Sequence, residues 1–244
     1  SFVSDFDKTQ IKNKLKSYAV AGINSEIVDL KVLYVEINSN VYYNPAQIAS
    51  VANLQTSITS ALNEYSKNVE INKFGGRFKY SKINQLIDRV DNGITSNITK
   101  VIIRRDMKAL LNQFAQYELC FGNQFNINPH GYNIKSTSFT INGAPDVAYF
   151  TDVPNKDGAG NLDGSMKGTI SVVTKNTKDE QQVLVKDAGM VDYKKGEIVL
   201  NTINISSTTA QNNVIEVQAY PESNDVVGLK DLFVSFDISN STIN

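Results

Sequence analysis

His130 is the only histidine in the chain, and so the only side chain whose unperturbed pKa suits a general base near neutral pH. It sits in the stretch NPHGYN, Asn128 to Asn133. Acyl transfer would need a nucleophilic serine and an orienting acid brought to that imidazole. No G-x-S-x-G elbow is present to supply the serine. A histidine between proline and glycine reads more simply as a turn residue. Structural zinc needs several Cys and His ligands, and the chain has one of each. The loop KDGAGNLDG (Lys156–Gly164) mixes acids and glycines as calcium loops do. With Gly164 as the turn glycine, the first ligand falls on Ala159 and the closing bidentate acid on Ile170, so the EF-hand pattern fails. A hairpin connection is the better reading. Gly75-Gly76-Arg77 precedes a helix but lacks the spacing of either glycine-rich phosphate loop, so the pair reads as a turn. Asp and Glu are scattered, with no pair that suggests glycoside cleavage. These residues predict no catalytic, cofactor-binding or metal site, and a protein that is not an enzyme.

What remains is a set of arginines. Arg104-Arg105 closes an apolar run, and with Arg77 and Arg89 it would form a local basic rim. The plainer reading is a solvated strand end. Arginine is nevertheless enriched at protein interfaces, which makes these four the candidates for partner contact. Tyr and Phe, 11 each with no Trp, fall mostly at strand-alternation positions and read as core.

The elements that must position them begin with the stretch Asn68–Asp106. Ile83, Leu86, Ile87 and Val90 have the spacing of one helix face, with Ser81 as cap and Gly93 as stop. Ile98–Ile103 is short, apolar and β-branched, as in a strand buried on both faces. Before this stretch, residues 5–21 predict a helix with Ile11, Leu15, Tyr18 and Ala19 on one side, ended by Gly22. Val28–Ile37 predicts a central strand with both faces covered. Asn44-Pro45 opens a helix running to Ser66. Val69, Ile71 and Phe74, then Phe78 and Tyr80, suggest two short strands about the glycine pair. From Lys108 onward no convincing helix appears. Strands are expected over 115–121, 136–141, 147–151, 168–174, 182–186, 197–205, 213–220 and 232–238, and the tail ISNSTIN reads as a frayed end or cut linker. The expectation is an α+β chain. Residues 1–107 would form an α/β-layered domain with a split βαβ-like sheet and packed helices, and residues 108–244 an antiparallel all-β sandwich or barrel.

Composition limits the partners. The 244 residues are 41% hydrophobic and 20% charged, ordinary for a globular protein. A net charge of −1 gives no field for nucleic acid or an anionic membrane surface. No apolar run approaches the roughly 20 residues of a membrane helix. The single Cys120 excludes an internal disulfide framework and fits a reducing cytoplasm. The opening SFVSDFD has neither an initiator Met nor a leader pattern, so a piece of a longer protein is expected.

Tyr80-Ser81-Lys82-Ile83, then Ile87, Val90 and Gly93-Ile94, resembles the core signature of the baseplate-J-like proteins of contractile phage tails. KVLYVEINSNVYYNPAQIAS and ITKVIIRRDMKALLNQFAQYELCFG are similar to the C-terminal portion of the baseplate wedge proteins of T4-like phages. The pair Asp91-Asn92 departs from the tighter turn common in the family. The resemblance implies a structural virion protein, assembled in the host cytoplasm, that forms homodimers with neighbouring copies and contacts other wedge proteins. Paired copies would close the wedges into a ring around the hub, and the ring would change conformation on sheath contraction. It implies no catalytic residues, and no nucleic-acid or membrane partner. Two alternatives stand beside it. The aromatic, loop-rich second half suggests a carbohydrate- or receptor-binding β module. A tail-associated hydrolase would have to use His130.

Overall fold

Among the described residues of the computed structural model, strands make up 47% and helices 18%, so this part of the molecule is mostly β. Residues 5–18, 27, 30–67, 70–175 and 180–244 are described. The chain forms two units, Ser1–Lys31 and Val32–Asn244. The first contains α1 (Asp5–Lys16), where a helix is expected. Lys14 and Lys16 lie in its last turn, a favourable place for cations beside the exposed carbonyls. The expected stop at Gly22, and Ala19, Val28 and Val69, lie outside the described residues.

The second unit begins with β1 (Val32–Tyr43), α2 (Val51–Ser66), β2 (Lys73–Phe74), β3 (Arg77–Phe78), α3 (Tyr80–Asp88) and β4 (Ile94–Lys108). β5 (Phe114–Cys120), β6 (Lys135–Ser136), β7 (Phe139–Ile141), β8 (Ala144–Pro154), β9 (Lys167–Lys175), β10 (Gln181–Asp192) and β11 (Glu197–Thr208) follow. A single 3-10 turn, then β12 (Val214–Ala219), β13 (Val226–Val227), β14 (Phe233–Phe236) and β15 (Thr242–Ile243) complete the chain.

The expected α/β-layered domain followed by a separate β domain is not what forms. One sheet of 13 strands runs β2-β14-β1-β4-β12-β6-β8-β7-β11-β10-β9, with β15 added on β1 and β5 on β11, and it mixes strands from both halves of the chain. β8 also pairs with β9, so β8, β9, β10, β11 and β7 close on themselves as a barrel. The physical reason lies at strand edges. β1 and β4 pair with each other from Tyr34–Arg104 to Tyr43–Ile94, which satisfies only one edge of each. The outer edge of β1 takes β14 and β15 in parallel, and that of β4 takes β12 antiparallel. Left open, those edges would present unpaired amides to any passing strand. Hydrophobic periodicity reports which faces are buried and is silent about which edge meets which.

The same pairing explains the local departures. The tail is not frayed: Asn244 donates to the Ser39 carbonyl, and Val41 donates to that of Asn244. β2 and β3 do not form a hairpin, because β2 pairs with β14 and β3 with β13. The helix expected from Pro45 begins at Val51, since Asn44 closes a turn first, its Oδ1 accepting from the Ala46 amide. Ser50 is the actual cap, its Oγ accepting from the Asn53 amide at 3.3 Å. α3 is capped from afar, with the Asp225 carboxylate accepting from the Tyr80 amide at 2.7 Å rather than by Ser81.

Leu33, Val35 and Ile37 of β1, Val101 and Ile103 of β4, and Ile215 and Val217 of β12 are all buried. They share one core with Leu54, Ile58 and Leu62 of α2 and Ile83 and Ile87 of α3. The opposite face is not the apolar mirror that was expected. It carries Tyr34, Glu36 and Arg104, and Ile98 is largely exposed on it.

Candidate functional site

Arg104 stands at the centre of that second face, and its position follows from the length of β4. The apolar run Ile98–Ile103 suggests an end at Ile103, but the strand continues to Lys108. Arg104 and Arg105 are therefore interior strand residues, 4% and 8% exposed, and not a solvated end. Arg104 faces Tyr34 on one neighbouring strand and Gln218 on the other. Side chains alternate along a strand, so Arg105 points to the opposite face.

Four carboxylates converge on the Arg104 guanidinium from four segments of chain. Glu36 of β1 lies 3.0 Å away, Asp106 of β4 3.2 Å, Glu216 of β12 3.4 Å and Asp237, just past β14, 3.0 Å. The Tyr34 ring lies beneath the guanidinium carbon at 4.3 Å, a cation–π contact. Gln218 donates to the second Glu36 oxygen at 3.1 Å. Asp237 accepts a true hydrogen bond, whereas Glu36 Oε1 and Asp106 Oδ1 are ion-paired to Arg104 without hydrogen-bond alignment. One cation against four acids leaves excess negative charge in a poorly solvated place. Burial pushes the Glu36 carboxyl up to about 7 although Arg104 pulls it down, and burial raises Asp106 as well. This is a clamp: it ties β1, β4, β12 and the C-terminal segment to one side chain. Among the described residues, no group of three or more His, Cys, Asp and Glu is arranged to hold a metal.

Arg105 donates to the Cys120 carbonyl at 3.1 Å, linking β4 to β5, and burial lowers its pKa. Arg77 on β3 and Arg89 just past α3 are exposed. Arg89 lines an open groove of about 450 Å³ with Ala61, Tyr65, Lys82 and Leu86, between α2 and α3. The structure thus separates the four arginines, two inside the sheet and two on the surface. The sequence did contain a sign of the clamp. Glu36, Arg104, Asp106 and Glu216 alternate with the core residues Leu33, Val35, Ile37, Val101, Ile103, Ile215 and Val217, as on the polar face of a half-buried strand.

The other residues with chemical potential fall in turns. His130 is exposed, in a turn closed by Gly131 donating to the Asn128 carbonyl. In the 156–164 loop, Asp157 Oδ1 accepts from the amides of Ala159 and Asn161, and Asp163 Oδ1 from that of Ser165. Those acids are turn caps.

Comparison with known families locates this architecture. Residues 31–106 match the family described as baseplate structural protein gp6, C-terminal domain III. Over that segment the chain is similar to the T4-like baseplate wedge protein gp6. No curated protein matches it. The gp6-like segment spans β1, α2, β2, β3 and α3 and almost all of β4. It includes Glu36, Arg104 and Asp106 of the clamp, while Glu216 and Asp237 come from beyond it. The gp6 family is a structural one and not an enzyme family.

Proposed function

We propose that the chain is a structural component of a contractile-tail baseplate wedge, located in the virion tail. In this reading it pairs with neighbouring copies and contacts other wedge proteins, so that wedges join into a ring around the hub. The ring then changes conformation when the sheath contracts. The match of residues 31–106 to a baseplate structural protein carries the proposal. Physical chemistry supports it. A part that transmits force between neighbours needs strands locked across distant parts of the chain, and the Arg104 clamp supplies such a lock. Arg77 and Arg89, exposed on the gp6-like segment, are proposed as partner contacts, with the α2–α3 groove beside Arg89. A ring requires contacts that repeat by symmetry, each above roughly 1,000 Å² in total.

The test is mass measured across a concentration series, alone and with the other wedge proteins. Dimers or larger assemblies weakened by Arg89→Glu are expected. A strict monomer at high concentration that joins no wedge complex would remove the proposal.

A further inference from the structure

Two asparagine–glycine pairs occur in the chain, Asn92-Gly93 and Asn142-Gly143, and both lie in turns. Such a pair can react with itself, because the main-chain nitrogen after an asparagine can attack its side-chain amide. Glycine permits this best, having no side chain in the way and few limits on its backbone angles. Neither pair belongs to the Arg104 clamp or to the α2–α3 groove.

The fold treats the two pairs differently. At the first, the Gly93 amide donates to the Asp91 carboxylate at 2.7 Å, and the Gly93 carbonyl accepts from the Asn44 amide at 2.8 Å. Gly93 is buried, and a Cβ on it would lie 2.7 Å from Ile48 Cδ1. Its nitrogen cannot turn toward the Asn92 side chain, and its proton is held by a negative charge. At the second pair nothing holds the nitrogen. Asn142 and Gly143 form the turn between β7 and β8, closed by Ile141 opposite Ala144, and both are exposed. The Asn142 amide donates to the Asn204 carbonyl at 3.0 Å. Among the described residues, no hydrogen bond is made by the Asn142 side chain or the Gly143 amide. A Cβ on Gly143 would meet nothing within 4 Å, so the space around it is open.

We propose that Asn142 is a site of spontaneous deamidation and that the fold protects Asn92 from it. The Gly143 nitrogen attacks Asn142 Cγ and forms a C–N bond. The side-chain nitrogen leaves as ammonia, carrying the proton that Gly143 gives up. Water then opens the succinimide ring. Cleavage of the new bond leaves aspartate, and cleavage on the main-chain side leaves isoaspartate, whose backbone runs through the side-chain carbon. Either product puts a carboxylate at the hairpin tip. Isoaspartate also lengthens the backbone between Ile141 and Ala144, where a two-residue turn sets the register. β7 pairs with both β8 and β11, so the change falls on a strand that closes the barrel. The proposal is independent of the assembly role, and its failure would leave that role untouched.

The experiment ages the whole chain in warm, mildly alkaline buffer. It follows the tryptic peptides 90–100 and 136–156 by mass spectrometry, with fragmentation that separates aspartate from isoaspartate. Acid should appear at Asn142 about tenfold or more faster than at Asn92, whose reaction must first break a charge-assisted hydrogen bond. Asp91→Ala should bring Asn92 toward the Asn142 rate, and in denaturant the two sites should react alike. Asn142→Gln, whose longer side chain closes a less favourable ring, should keep its thermal midpoint on ageing while that of the unaltered chain falls. Equal rates at the two sites in native buffer would overturn the proposal, because reaction would then run through the unfolded chain. An Asn92 that stays inert in Asp91→Ala would overturn the role of the Asp91 bond. A midpoint that falls equally with and without Asn142 would overturn the consequence for the barrel.

Discussion

At the scale of single residues, Arg104 and Glu36 hold opposite ends of one balance. Removing the cation leaves four carboxylates facing each other with their compensation gone. Arg104→Ala should therefore cost about 3–5 kcal/mol, the range for stranding buried charge, and denaturant unfolding would measure it. A loss below about 1 kcal/mol would mean that solvent, and not the arginine, screens the acids. Glu36 gives the complementary prediction. Its carboxyl is raised from 4.5 to about 7, so the folded state holds its proton more tightly than the unfolded chain. The stability this contributes is fully present below pH 4.5 and is lost as pH rises through about 7. Burial raises Asp106 and Asp152 in the same direction. The thermal midpoint should then fall between about pH 5 and pH 8 by a few degrees, and Glu36→Gln should flatten that slope. A midpoint that rises over the same interval would contradict the assignment. The clamp was partly visible in the sequence as charged residues alternating with the apolar residues that face the core. Which acids would meet which cation was not visible, because Glu36, Arg104, Glu216 and Asp237 come together only through pairing of distant strands.

At the scale of elements, the C-terminal segment matters more than its composition suggests. ISNSTIN is polar and has no apolar periodicity, yet it holds the outer edge of β1 by main-chain and side-chain bonds. Ile37 donates to Ser241 Oγ at 3.0 Å, Asn244 to the Ser39 carbonyl at 2.9 Å, and Val41 to the Asn244 carbonyl at 2.8 Å. Truncation after Asp237 should speed exchange of the Ile37 and Val41 amides by about tenfold or more, while amides of β4 facing β1 change little. Unchanged protection at Ile37 and Val41 would show that water replaces the segment at no cost. This element illustrates where local reading ends. Strands such as β9 and β11 were visible because alternation of apolar residues encodes their buried face, and α2 because Leu54, Ile58 and Leu62 recur at helical spacing. β15 is stabilised by backbone bonds to a partner some 200 residues earlier, which no side-chain pattern records. The same holds for the α3 cap, where Asp225 arrives from a remote loop and displaces the nearby Ser81.

At the scale of the whole molecule, the gp6-like segment is matched as a unit, yet its strands depend on edges supplied from beyond it. Residues 31–106 contain two long strands and two helices, enough to bury a core face with Leu33, Val35, Ile58, Ile83 and Ile103. Their edges are another matter. Without residues beyond 108, β4 loses the whole β12 ladder from Val214–Lys108 to Ala219–Ile103, and β1 loses β14 and β15. Arg104 loses Glu216 and Asp237, and Arg105 loses the Cys120 carbonyl. Two open edges and a half-dismantled charge cluster should outweigh what the remaining core contributes, since whole domains are stable by only about 5–15 kcal/mol. A fragment of residues 31–108 is therefore expected to lack a cooperative thermal transition and to aggregate through its exposed strands. Adding the complementary fragment from residue 109 should restore the transition, because the missing ladders are intermolecular in that mixture but otherwise identical. A sharp, reversible transition of the isolated fragment would show that the edges are tolerated. In that case the 13-stranded sheet would be a junction of two self-sufficient parts, and rigidity across it would have to come from the Arg104 clamp alone.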